Sequence, residues 1–207
     1  MTTILLARHG ETDWNRDQRW QGHADRPLTV RGRAQAEALA TRLSDVELAA
    51  VYSSDLGRAR ETARPAAEAR GLSVIERRDL REVDVGSWSG LTRAEVETQD
   101  PDGIRRWLDG AKGWHGGESY EEMAERVAAA CRAIAAAHPS ATVLVVSHGG
   151  CVRAVHARAL GLSFHAHRKT APVEPNARLS AVSVENGTIR RLHLDDLRLL
   201  RPGPAAS

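Results

Sequence analysis

Two kinds of apolar pattern alternate along the chain. Residues 3–7 and 141–147 (ATVLVVS) are short runs of consecutive apolar side chains without polar alternation, as expected of strands buried on both faces. Residues 48–52 and 72–75 are briefer versions of the same pattern. Between them the apolar positions recur at helical spacing. Residues 29–43 place Ala34, Ala38, Leu39 and Leu43 on one face behind Thr29 as N-cap. Residues 55–70 start at Asp55 and stop at Gly71. Residues 118–138 carry a stripe through Met123, Val127, Cys131 and Ile134, with Glu118 as cap and Pro139 after the end. A fourth helix is expected from His148 to Leu160, closed by Gly161.

Near the end the period changes to two. Residues 177–184 and 188–194 alternate around Glu185-Asn186-Gly187, a strong hairpin signal. Strands alternating with helices predict an α/β fold: a three-layer α/β/α sandwich with a mostly parallel central sheet and an antiparallel hairpin at its edge. No repeat or linker divides the chain. One domain over residues 1–200 is expected, with a tail at 201–207 (RPGPAAS) that is expected to be disordered. Residues 86–117 interrupt the pattern with glycines and tryptophans, and read as a loop insertion with short helices near 93–98 and 102–108.

Composition narrows the class. The 207 residues are 42% hydrophobic and 27% charged, which fits a globular chain and not a disordered one. The apolar run 4–7 is too short for a signal-peptide core, and no run approaches a membrane span, so a cytoplasmic protein without membrane contact is expected. Cys131 and Cys151 exclude a disulfide framework and read as small core residues, Cys151 alternatively as a buried thiol near the site. The net charge of +2 is far from that of a nucleic-acid binder. Of the 29 basic residues 27 are arginine, whose forked guanidinium matches phosphate oxygens.

In open parallel sheets ligands bind beyond the carboxyl ends of strands. Those ends are followed here by Arg8-His9-Gly10-Glu11-Thr12, by Ser53-Ser54-Asp55-Leu56-Gly57-Arg58, by Glu82 and by His148-Gly149-Gly150. Two histidines, two permanent cations and one acid suit transfer of a dianionic group. Neither a phosphate-binding P-loop nor a dinucleotide-type glycine motif is present.

Six segments carry a family resemblance: LLARHGETDWN (5–15), QGHADRPLTVRGRAQA (21–36), SSDLGRARETA (53–63), LREVDVGSWSGL (80–91), GGES (116–119) and VSHGG (146–150). Together they make the chain similar to the histidine phosphatase superfamily, in its phosphoglycerate-mutase-like branch. The resemblance implies a phosphohistidine formed on His9 and a phosphate pocket of Arg8, Arg58 and His148. It implies Glu82 as proton donor, and Asn15, Gln21 and Gly22 as further phosphate or substrate contacts. A neutral His9 is expected, with one ring nitrogen held by a backbone carbonyl and its charge opposed by the arginines. Protein charges do the work of stabilisation, so no metal and no cofactor is expected.

The segment after Glu82 lacks the Glu-Arg-His-Tyr-Gly stretch typical of the mutases, which favours a phosphatase of small sugar or glycerate phosphates over a cofactor-dependent phosphoglycerate mutase. The chain resembles broad-specificity phosphatases and glucosyl-3-phosphoglycerate phosphatases. A non-catalytic phosphoester-binding module and a metal-dependent hydrolase are the contrasting classes. The loops at 14–24 and 86–120 are expected to roof the pocket, with Trp14, Trp20, Trp88, Trp114 and His115 as walls or, for several tryptophans, as core. His165-Ala166-His167 reads as an exposed loop, and His23, His138, His156 and His193 as structural. The hairpin edge offers a surface for a second copy, so a homodimer is one expectation.

Overall fold

The structure, a computed structural model, describes residues 1–194. The segment expected to be a disordered tail lies outside them, as do residues 195–200 of the expected domain. Strand β1 (Thr2–Arg8) is buried from Thr2 to Ala7. Its side chains serve two cores: Ile4 and Leu6 face one side of the sheet, Leu5 and Ala7 the other. After the single-turn α1 (Asp13–Arg16) comes α2 (Val30–Arg42), capped by Thr29 as expected.

Strand β2 (Ala50–Ser54) lies two residues further on than the apolar pattern suggests. Ser53 and Ser54 do not follow the strand but form its last two residues, paired with Glu76 and Arg77 of β3 (Val74–Arg77). Both serines are buried, so their polarity misleads a reading based on hydrophobicity. Helix α3 (Gly57–Glu68) starts behind Leu56, not behind Asp55. The Asp55 carboxylate instead receives two bonds from Arg81, at 2.7 and 2.6 Å.

The insertion holds α4 (Arg93–Gln99) and α5 (Pro101–Leu108), as the sequence predicts. Helix α6 (Tyr120–Ala137) is capped by Ser119 in a reciprocal pair with Glu122. Glu118 is therefore not the cap; its carboxylate pairs with Arg126. Strand β4 (Thr142–Ser147) leads into α7 (Gly149–Ala159). Residues 164–170 form helix α8 (Phe164–Thr170) where a loop was expected, with Ser163 as its cap and His167 buried. The hairpin is β5 (Leu179–Glu185) and β6 (Thr188–Leu192). Its turn residues Asn186 and Gly187 have φ of 49° and 77°, the left-handed pair that a two-residue hairpin turn demands.

The six strands form one sheet in the order β3-β2-β4-β1-β5-β6. β3, β2, β4 and β1 are parallel, and β5 and β6 are antiparallel to their neighbours. α2 and α3 cover one face through Leu39, Leu43, Ala59 and Ala63. α6 and α7 cover the other through Met123, Val127, Ile134, Val152 and Val155. This is the three-layer α/β/α arrangement with its antiparallel edge. Among the described residues no helix is long and apolar enough to cross a membrane.

Candidate active site

The register of the central strands creates the first contact. Arg8 of β1 lies opposite Ser147 of β4, so the next residues, His9 and His148, leave the sheet side by side. Their rings meet edge-on with centroids 5.2 Å apart. His9 is buried, and its Nδ1 lies 2.7 Å from the Gly10 carbonyl oxygen. A carbonyl can only accept, so Nδ1 carries the hydrogen and Nε2 is the lone-pair nitrogen. Burial, then Arg58 and Arg8, hold the His9 pKa well below its ordinary value. His148 is pushed well down too, by burial first and then by Arg58, and neither of its ring nitrogens has a protein partner.

The loop that carries His9 is held from three sides. Gly10 N–H donates to Thr62 Oγ1 at 2.8 Å, and Thr62 in turn donates to the Arg58 carbonyl. A Cβ on Gly32 of α2 would collide with the Glu11 carbonyl, so glycine is required for the loop and helix to touch. Asn176 donates from Nδ2 to the His9 carbonyl at 2.9 Å and to Asn15 Oδ1 at 3.1 Å.

The cations come from separate elements. Arg58, in the first turn of α3, is almost wholly buried, and gives Nη1 to the Ala24 carbonyl and Nη2 to the Gly22 carbonyl. Burial lowers its pKa to about 10, so it stays charged at neutral pH. Arg8 ends β1 and donates to the Glu174 carbonyl at 2.9 Å. Arg8 and Arg58 each keep a buried Nε with no acceptor.

Glu82 arrives from the far side of the sheet. Ser147 Oγ donates to the Leu80 carbonyl at 2.7 Å, tying β4 to the segment before it. The carboxylate then accepts from Val83 N at 3.0 Å and from Gly150 N at 3.0 Å. Arg126 and His23 bind the backbone carbonyls of residues 79, 81 and 82 and fix that segment. Cys151 is buried beside it, its Sγ 3.0 Å from the Arg81 carbonyl and 4.0 Å from Glu82 Oε1, which matches the alternative reading of a buried thiol near the site.

These groups surround a cavity of about 300 Å³ lined by Arg8, His9, Asn15, Gln21, Gly22, Arg58 and Glu82. His148 is not on its wall, but its buried ring lies edge-on to His9 with both nitrogens unpartnered. The structure thus brings all eight sequence-predicted site residues into one place, seven on the cavity wall and His148 against the His9 ring. Asn15 spends its amide oxygen on Thr12 N and Asn176, leaving its amide nitrogen as donor. Gln21 is buried with its Oε1 unpartnered.

The roof differs from the expectation. Residues 14–22 do cover the cavity, but of residues 86–120 only Tyr120 reaches it; Phe164 and Val173 complete the wall. The insertion acts as a buttress: Trp20 exchanges backbone bonds with Leu91 and Gly90, and its ring packs 5.3 Å from both Trp88 and Trp107. Trp88 and Trp114 are core residues, while Trp14 and Trp20 line the cavity. His115 is exposed and lies off the cavity wall, its backbone bonded to Ser87. Sequence reasoning missed Arg153, Asn176, Tyr120, Phe164 and Val173, which reach the site only through tertiary packing. Among the described residues no group of three or more His, Cys, Asp or Glu side chains is gathered as a metal cluster.

Residues 4–196 match the model of the histidine phosphatase superfamily (branch 1). The chain belongs to that superfamily. It is similar to phosphoserine phosphatase 1 of Hydrogenobacter thermophilus, with 38% identity over 164 residues covering 78% of each chain. It is 40% identical over 163 residues to the metal-independent phosphoserine phosphatase of Arabidopsis thaliana, covering 76% of this chain and 68% of that one. A mycobacterial glucosyl-3-phosphoglycerate phosphatase solved with VO3 shares its fold at a TM-score of 0.81 and 32% identity, covering 91% of this chain and 95% of that one. This histidine phosphatase is a phosphoric monoester hydrolase.

Proposed function

We propose that the protein hydrolyses small phosphorylated metabolites, sugar or glycerate phosphates, through a phosphohistidine on His9. Nε2 of neutral His9 attacks phosphorus while the bond to the leaving oxygen breaks, and Glu82 gives that oxygen its proton. Glu82 then takes a proton from water as the water attacks the phosphohistidine, releasing inorganic phosphate and restoring His9. Arg8 and Arg58 neutralise the transferring oxygens, being charged before substrate arrives. His148, neutral in the free protein, gains proton affinity beside a bound dianion and becomes a donor to it. Asn15, Gln21 and Gly22 hold the phosphate or the rest of the substrate.

One observation carries this reading: a histidine kept neutral by burial, its Nδ1 committed to Gly10, beside the guanidinium groups of Arg8 and Arg58 on the wall of a small cavity. A volume of about 300 Å³ suits a metabolite and not a phosphorylated protein surface. The test is a panel of phosphorylated metabolites assayed with and without a chelator. Turnover of several small esters, unaffected by chelation, is expected. Activity lost in chelator and restored by a divalent cation would replace this mechanism with a metal-dependent one.

A further inference from the structure

Four arginines line the cavity: Arg8, Arg19, Arg58 and Arg153. Arg19 pairs with Glu95, and Arg58 has Asp25 at 3.9 Å. Among the described residues Arg8 and Arg153 have no carboxylate within ion-pair distance. Arg8 stands beside His9 at the reacting end; Arg153, on α7, is the unpaired cation that the phosphoryl group leaves over. Its Nη2 donates to the Ala171 carbonyl at 3.0 Å, and its Nε is buried without an acceptor. Arg168 and Arg8 are like charges in its surroundings, and Glu82 and Glu174 are opposite ones beyond ion-pair distance. A half-buried guanidinium with no ion-pair partner and an unsatisfied Nε is unfavourable in the empty site, and an anion relieves it.

Helix geometry says where that anion sits. Gly149 packs against Arg8, a Cβ there meeting Nε at 3.3 Å, and Gly150 N–H holds Glu82. Arg153 follows these two by four and three residues, so it shares their helix face about one turn, ~5 Å, further on. Helical side chains lean toward the N-terminus, which carries the guanidinium back toward the reacting end. Charge decides the kind of anion. Arg8 and Arg58 match the two charges of a phosphoryl group, and Arg153 adds one more, matching a monoanion. Its planar fork matches a carboxylate.

We propose that Arg153 is a specificity-determining residue that binds a carboxylate of the substrate, so that the favoured substrates are phosphomonoesters of short hydroxy acids. The proposal rests on the phosphatase reading above and narrows it.

O-phosphoserine and phosphoethanolamine differ only in the carboxylate. The informative quantity is the ratio of their kcat/KM values. Wild type is expected to favour phosphoserine, and Arg153→Met to lower the ratio by about 10- to 100-fold, the range for a lost hydrogen bond to a charged group. Arg153→Lys, which keeps the charge but not the fork, is expected to fall between the two, and serves if the Met variant does not fold. A ratio equal in wild type and both folded variants, or a wild type with no preference, overturns the proposal while leaving the phosphatase reading intact. A larger fall in the ratio of glycerol bisphosphate to glycerol phosphate would reassign Arg153 to a second phosphate and also overturn it. If no ester is turned over, the phosphatase reading fails by itself. Calorimetry of phosphoserine and phosphoethanolamine binding to wild type and Arg153→Met then decides: a loss of affinity confined to phosphoserine supports the carboxylate contact, and equal changes refute it.

Discussion

His9 owes its nucleophilicity to its surroundings and not to an adjacent base. A buried imidazole between cations cannot hold a proton cheaply, so its lone pair is available without a deprotonation step. Leaving-group chemistry then falls to Glu82, whose carboxylate is aimed by two backbone N–H groups. Glu82→Gln is expected to slow hydrolysis of alkyl phosphates by about 10²–10⁴-fold and of p-nitrophenyl phosphate far less, because only the poor leaving group needs the proton. Equal losses on both substrates would remove Glu82 from the acid role. Arg58→Ala is expected to weaken inhibition by vanadate at least tenfold, since a charge-assisted contact of about 1.5–3 kcal/mol is lost. Unchanged inhibition would contradict its part in the phosphate pocket. At this scale the sequence was informative because His9 and His148 each stand directly after a strand and Arg58 opens a helix. Glu82 does not follow a strand end as expected: β3 stops at Arg77, and a 3-10 turn over Arg78–Leu80 lies between them. Arg153 and Asn176 were not legible, since nothing in their neighbours reveals which surface they reach.

Elements hold these groups through close contacts that a hydrophobic pattern does not register. Thr29 and the apolar face of α2 were readable, but the requirement for Gly32 was not, because it arises where α2 touches the His9 loop. Alanine normally stabilises a helix over glycine by about 1 kcal/mol. Gly32→Ala is nevertheless expected to destabilise by about 1–3 kcal/mol, because the new methyl overlaps the Glu11 carbonyl. A raised denaturation midpoint would show that the contact yields freely. The same limit explains β2 and α8. Ser53 and Ser54 are polar yet buried in the sheet, and Ser163 caps a helix whose sequence, FHAHRKT, has little apolar periodicity. The insertion was readable as helices but not as a buttress, since its tryptophans meet Trp20 only in the folded chain.

At the scale of the whole molecule, the α/β order and the hairpin followed from period and turn residues, while the strand order came from the structure alone. The buried histidines also give the fold a pH signature. His156, between α7 and β5, bonds Ser180 Oγ at 2.9 Å, and burial, then Arg191, lowers its pKa to about 4. Unfolded, it takes up a proton below its ordinary 6.5. Between those values the unfolded state binds more protons, so stability falls as pH is lowered from about 6.5 to about 4. Thermal midpoints are expected to drop across that window, with a shallower slope in His156→Gln. A midpoint that rises on acidification would contradict the buried neutral ring.

The central claim, a covalent bond between His9 and phosphorus, is tested most directly by rapid quench of the enzyme with a labelled phosphomonoester, followed by peptide mapping under alkaline conditions. Acid-labile phosphate on the peptide containing His9, appearing and decaying at rates compatible with turnover and missing in an inactive His9→Ala variant, is the predicted result. Full turnover with label on no histidine, or on a residue other than His9, would contradict it.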